Sequence, residues 1–148
     1  AWGGVPTPVT ETVSAEETAV VAAELARELR PGDVVLVSGD LGAGKSTFVR
    51  GALRALGVTG PVTSPTFTIS RRYRAAGREL SHLDLYRLGD LAAEDPALLD
   101  DEVGGERIAF VEWPEVGEGW AAEHGRVAAR VRLDHAGRDR RVVTIERP

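Results

Sequence analysis

Gly39-Asp40-Leu41-Gly42-Ala43-Gly44-Lys45-Ser46 fits the spacing G-x-x-x-x-G-K-[ST], a pattern suited to holding phosphate. Glycines let the backbone turn tightly enough to aim successive N–H groups at one anion, and the N-terminus of a following helix adds partial positive charge. Lys45 brings a point charge to β- and γ-phosphates, and the Ser46 hydroxyl offers a ligand to Mg²⁺. With Thr47 next in line, residues 39 to 47 form the candidate ATP-binding set. A glycine-rich turn without a ligand is the bland alternative, and its surroundings argue against it. Val34-Val35-Leu36-Val37 before the loop is a continuous apolar run, as expected of a strand buried on both faces. After it Phe48, Ala52 and Leu56 recur at helical spacing with Val49 and Leu53 beside them, and Gly57 stands where an αL cap ends a helix.

Phosphoryl chemistry also needs carboxylates, and two stand where strands end. Ile108-Ala109-Phe110-Val111 is a second fully apolar strand, and Glu112 follows it. A carboxylate there suits Mg²⁺ or its water opposite the loop hydroxyl; the alternative is an exposed strand end. Glu79 to Tyr86 reads as a strand in which Leu83 and Leu85 face one way and His82, Asp84 and Tyr86 the other. Asp84 either orients the attacking water, shares the metal shell, or is a solvated hairpin edge. His82 alone reads as a packed histidine. Trp113 reads as core or interface, with a pocket wall as the functional alternative. Arg71, Arg72, Arg74, Arg78 and Arg87 form a solvated basic face or a contact for phosphate or a partner. Asp101-Glu102-Val103-Gly104 fits D-x-x-G, but no apolar strand precedes it. The chain has no Asn, so the Asn-Lys-x-Asp element that reads guanine is impossible, and ATP is favoured over GTP.

These residues need a scaffold. Pro6 and Pro8 keep the opening extended, so residues 1–8 are expected to be an extended or disordered tail, and Val9 to Val13 reads as a short edge strand. Ser14 with Glu17 three residues on is a capping box; Val21, Leu25 and Leu29 mark the buried stripe of a helix ended by Pro31-Gly32. Pro65 forces Ser64 into extended backbone, so Ser64 to Thr68 is a shaped, hydroxyl-rich loop. Phe67 to Tyr73 and Glu79 to Tyr86 form a hairpin across residues 75 to 78. Gly89 to Gly105 suggests short helices around Pro96, and Gly117 to Gly125 a loop or weak helix. Arg126 to Leu133 and Arg140 to Glu146 make a terminal hairpin. Strands on either side of a crossover helix predict an α/β, P-loop NTPase-like fold. Its central sheet is mostly parallel, with added antiparallel hairpins and flanking helices.

At 148 residues the chain suits a single domain, residues 1–148, with a sizeable core. Net charge is −5 and pI about 5.2, which argues against autonomous, sequence-independent binding of nucleic acid. With no Cys there is no disulfide-linked partner and no thiolate metal site. No apolar run approaches the ~20 residues of a membrane span, so a soluble, cytoplasmic protein without a membrane partner is expected.

Four stretches together resemble the bacterial TsaE (YjeE) family: Gly39 to Ser46, Ser64-Pro65-Thr66-Phe67-Thr68, His82-Leu83-Asp84-Leu85-Tyr86-Arg87 and Glu112-Trp113-Pro114-Glu115. The resemblance spans roughly Ser14 to Glu115. It implies a small ATPase that assists threonylcarbamoyl transfer to adenosine 37 of tRNA without performing it. Its implied cofactors are ATP and Mg²⁺, and its implied partners are TsaD and TsaB, with tRNA reached only through that complex. By motif match the resemblance gives Ser46 and Glu112 the metal, and Asp84 the hydrolytic role with Thr66 nearby. The family commonly has Thr where Ser46 stands, which retains the hydroxyl. A small-molecule P-loop kinase and an ATP-binding scaffold without hydrolysis are the rival readings.

Overall fold

The computed structural model describes residues 8–39, 42–62, 70–84, 103, 105–112 and 126–148. Expectations for the tail, for Ser64 to Thr68, for most of 89–105 and for 113–125 lie outside these residues. Among the described residues the elements run β1 (Val9–Thr12), α1 (Ala15–Ala26), β2 (Asp33–Gly39), α2 (Lys45–Ala55), β3 (Ser70–Ala75), β4 (Arg78–Asp84), β5 (Ile108–Glu112), β6 (Arg126–His135) and β7 (Arg141–Glu146). All seven strands share one sheet in the order β1-β7-β6-β2-β5-β4-β3.

The four central strands β6, β2, β5 and β4 are parallel to one another, whereas β1–β7, β7–β6 and β4–β3 pair antiparallel. The expected mostly parallel sheet is therefore half antiparallel by pairing. Two of the three antiparallel pairs are hairpins, since strands joined by a short turn can only lie antiparallel, and the third is β1 laid against β7 from the other end of the chain. In β3–β4 that turn is Ala76-Gly77, both at positive φ, the backbone a two-residue hairpin turn requires.

β2 alternates its side chains between two buried faces, which is why it reads as an unbroken apolar run. Val35 and Val37 join Phe110, Ala129 and Val131 in one core with both helices, while Val34, Leu36, Ala109 and Val111 are buried on the other face. The helices expected to flank the sheet are thus, among the described residues, both on one side.

Helix α1 begins as its sequence predicts. Ser14 Oγ accepts from the Glu17 N–H at 3.2 Å, and the Glu17 carboxylate accepts from the Val13 N–H at 3.0 Å. It ends at Ala26, five residues before Pro31. Two i to i−3 bonds, from Glu28 N–H to Leu25 and from Leu29 N–H to Ala26, tighten the exit while still burying Leu29. Val21, expected on the buried stripe, is only partly buried; Ala22, Leu25 and Ala26 carry the contact. Helix α2 closes on Gly57 at φ 108, with Gly57 N–H bonded to Arg54 and Val58 N–H to Leu53, a Schellman ending.

The two helices touch at Gly51, where an added Cβ would lie 2.8 Å from the Ala19 Cα. Overpacking of this kind costs about 1–3 kcal/mol, and a chain of this size loses roughly 2–4 °C of melting temperature per kcal/mol. Gly51→Val is expected to lower the melting temperature by about 2–12 °C in calorimetry. An unchanged midpoint would contradict this helix contact.

Candidate functional site

The site begins where β2 ends. Gly39 pairs with Leu133 of β6, and a Cβ on it would lie 2.1 Å from the Leu133 carbonyl oxygen. Only glycine lets the chain leave the sheet so close to the neighbouring backbone. Gly42 and Gly44 follow at φ 76 and 95, the left-handed region that favours glycine. Gly44 is also the N-cap of α2 and has no side chain with which to cap. The contrast with α1 is informative: that helix has Ser14 as its cap and Glu16 and Glu17 in its first turn, whereas α2 has neither a side-chain cap nor a first-turn acid. The positive end of α2 is left for an anion from elsewhere.

Lys45 is the chain's single lysine; every other residue among its 18 Lys and Arg is arginine. Its Nζ donates to the Gly39 carbonyl at 3.0 Å, spanning the loop from end to start. Ser46 and Thr47 follow in the first turn of α2, both half-buried.

The loop is gripped from behind by a residue that sequence reasoning missed. Arg141, first in β7, donates from Nε to the Ala43 carbonyl at 3.2 Å and from Nη2 to Gly42 at 3.5 Å, while Nη1 bonds the Arg138 and Arg140 carbonyls at 2.7 and 2.8 Å. No local motif marks it; an arginine after a turn looks like any other. Beside it lies a cleft of about 80 Å³ lined by Ser14, Thr18, Gly44, Thr47, Asp139 and Arg141.

The carboxylates meet this loop at one edge of the sheet. Val37, Glu112 and Asp84 stand in register across β2, β5 and β4, so all three side chains share the face that α2 covers. Glu112 is 5% exposed and accepts a hydrogen bond from His82 Nε2 at 2.7 Å, His82 itself being 1% exposed. Asp84 is half-buried directly beside Glu112.

Of the candidate residues, Gly39, Gly42, Ala43, Gly44, Lys45, Ser46, Thr47, Asp84 and Glu112 are therefore brought to the same carboxyl edge of the parallel strands, where α/β sheets bind ligands. Asp40, Leu41 and Thr66 lie outside the described residues. The arginines at 71, 72, 74 and 78 are exposed on the β3–β4 hairpin, and Arg87 is not described. Among the described residues no group of three or more His, Cys, Asp or Glu forms a metal cage. The donor set instead suits a cation held by one or two oxygens together with ligand phosphates, the habit of Mg²⁺. None of the described helices is long and apolar enough to cross a membrane.

Comparison with known proteins adds an independent finding. The family described as "Threonylcarbamoyl adenosine biosynthesis protein TsaE" matches residues 12–143. A tRNA threonylcarbamoyladenosine biosynthesis protein TsaE of Bacillus subtilis is 39% identical over 133 residues, covering 90% of this chain and 81% of that protein. The protein of the same description in Streptomyces coelicolor is 44% identical over 115 residues, covering 76% and 75%. The crystal structure of Bacillus subtilis YdiB superposes with a TM-score of 0.73 at 33% identity, over 98% of this chain and 88% of that one.

Arg141→Met retains the aliphatic stem and removes four hydrogen bonds to carbonyls, two of them to the loop. Bonds to a charged donor are worth about 1.5–3 kcal/mol each, so hydrogen exchange at amides 43–47 is expected to quicken about tenfold or more. Unchanged exchange would show that the loop stands without this clamp.

Proposed function

This chain belongs to the TsaE family, and on that premise we propose that it is a Mg²⁺-dependent ATPase required for N6-threonylcarbamoyladenosine modification of tRNA. It acts with TsaD and TsaB to support or reset their transfer complex and is not itself the transferase. The observation that carries the ATPase reading is the uncapped, acid-free N-terminus of α2 with Lys45 across its loop, at the same sheet edge as Glu112 and Asp84.

Each residue then has a task. The loop amides and the α2 N-terminus hold the phosphates, and the Lys45 ammonium exchanges the Gly39 carbonyl for a phosphate oxygen. Ser46 and Glu112 hold Mg²⁺, which when bound neutralises charge on the phosphate oxygens. Asp84 orients the attacking water, with Thr66 nearby. Ser14, Thr18 and Asp139 border a cleft beside the loop that suits the ribose side of the nucleotide. The chain has no Gln to orient water as GTPases do, and among the described residues no arginine stands on an evident lid, so hydrolysis by the protein alone is slow and a partner completes the site.

Phosphate release measured with and without TsaB and TsaD tests this reading. Slow release from ATP alone, faster release with both partners and loss of ATP binding in Lys45→Ala are expected. Transfer of phosphate to a small molecule would identify a kinase, and tight binding without release a scaffold.

The two carboxylates are expected to fail differently. Glu112→Gln should weaken the Mg²⁺ dependence of ATP binding, whereas Asp84→Asn should leave ATP bound and slow hydrolysis by about 10²-fold or more. Titration calorimetry at varied Mg²⁺, paired with single-turnover hydrolysis, separates them. Equal losses explained by lowered melting without ligand would remove both assignments.

A further inference from the structure

His82 is a buried titratable group, 1% exposed, that the proposed mechanism leaves without a task. It lies opposite Phe110 in the β4–β5 register, one step inside the sheet from the Asp84–Glu112 pair, and its side chain is on the same face as theirs. A carboxylate accepts and cannot donate, so the hydrogen in the 2.7 Å contact belongs to His82 Nε2. The other ring nitrogen, Nδ1, is buried and has no partner among the described residues. An N–H left there would be an orphaned buried donor, which native proteins rarely tolerate, so the ring is the Nε2–H tautomer with a bare Nδ1. A histidine kept only to fill the core would commonly have both nitrogens satisfied. Here the ring's one donor goes to one oxygen of Glu112.

The place of Glu112 explains what that bond does. Its register neighbour is Asp84, a second carboxylate on the adjoining strand. Parallel strands lie about 4.8 Å apart, so the two acids repel and each would swing away if free. Anchoring one oxygen from the sheet side leaves Glu112 a single orientation and its other oxygen for a cation.

We propose that His82 is a positioning residue, whose Nε2–H fixes the Glu112 carboxylate for the divalent cation at the edge of the phosphate loop. The proposal rests on the reading of Glu112 as a Mg²⁺ ligand given above. Partners that orient metal ligands in this way typically contribute about 10- to 100-fold in metal affinity.

His82→Phe keeps the ring volume and removes the donor, and His82→Gln restores an N–H at about the same reach. The probe is Mg²⁺, with Mn²⁺ followed by electron paramagnetic resonance, titrated against the full chain with ATP present; affinity for metal-free ATP is measured beside it. His82→Phe is expected to weaken metal affinity about 10- to 100-fold with metal-free ATP affinity unchanged, and His82→Gln to recover most of the loss. Metal affinity unchanged in His82→Phe, or lost together with metal-free ATP affinity, overturns the proposal and leaves the ATPase reading intact. A wild-type chain whose ATP binding is indifferent to metal overturns both. Should His82→Phe not fold, long-range ¹H–¹⁵N spectra of the wild-type imidazoles decide. A protonated Nε2 and bare Nδ1 at His82 are expected, with a shift on adding Mg²⁺–ATP; the opposite tautomer, or no response, overturns the proposal.

Discussion

The contact on which the rest depends is that of Gly39 with the Leu133 carbonyl. β2 sits between β5 and β6, parallel to both, so its last residue must leave the sheet without pushing either neighbour aside. The 2.1 Å separation that a Cβ would have from that oxygen excludes every side chain. Because β6 can run flush past this point, Leu133 stays buried under α2 and the loop starts at a fixed height above the sheet. The N-terminus of α2 inherits that height. A side chain at residue 39 would displace the loop and the β6–β7 hairpin together, because the same backbone atom limits both.

Register does for the acids what packing does for the loop. Glu112 and Asp84 are 28 residues apart in sequence, yet parallel pairing sets them side by side, because Ile108 lies opposite Leu80 and every later pair follows. A slip of one residue would send Glu112 to the face occupied by Val111 and away from α2. The apolar residues of β5 resist that slip, since Phe110 would lose the core it shares with Val35 and Leu80. Core packing in the strand thus secures the position of the acid at its end.

What was legible in the sequence follows from the range over which each feature is determined. The Ser14–Glu17 capping box, the Gly57 helix ending and both hairpin turns are decided by residues within one or two turns of chain, and each forms where it was read; of the phosphate loop, Gly42 to Ser46 lead into α2 as expected. Glu112 and Asp84 were legible as strand ends but not as neighbours, since register comes from pairing between segments whose separation carries no local signal. The His82–Glu112 bond stayed hidden for the same reason, and so did Arg141, which reaches the loop across 98 positions. The balance of parallel and antiparallel pairing was misjudged because hairpins were counted as additions to the sheet, when β3 supplies one of its edges and β7, the outer strand of the other hairpin, takes β1 antiparallel at the opposite edge. Pro31 marked the end of α1 too late: proline shows where a helix cannot continue, whereas the chain tightens and leaves several residues earlier.

The two cations at the loop divide the work according to their chemistry. Arg141 has a rigid planar fork, and its acceptors are backbone carbonyls of a loop and a turn that are themselves fixed, so several donors are met at once. Lys45 is a compact charge on a flexible stem, able to exchange one acceptor for another, and in a chain otherwise provided with arginine it stands where an acceptor must change. Under the function proposed here, the lysine answers the ligand and the arginine holds the shape to which the ligand binds. Because Arg141 also bonds the Arg138 and Arg140 carbonyls, a change in the loop is mechanically joined to the β6–β7 turn at the far side of the sheet from β4. A nucleotide can shift that turn only so far as it binds the two arrangements of the loop unequally, and the shared guanidinium gives such a difference a route to the protein's edge.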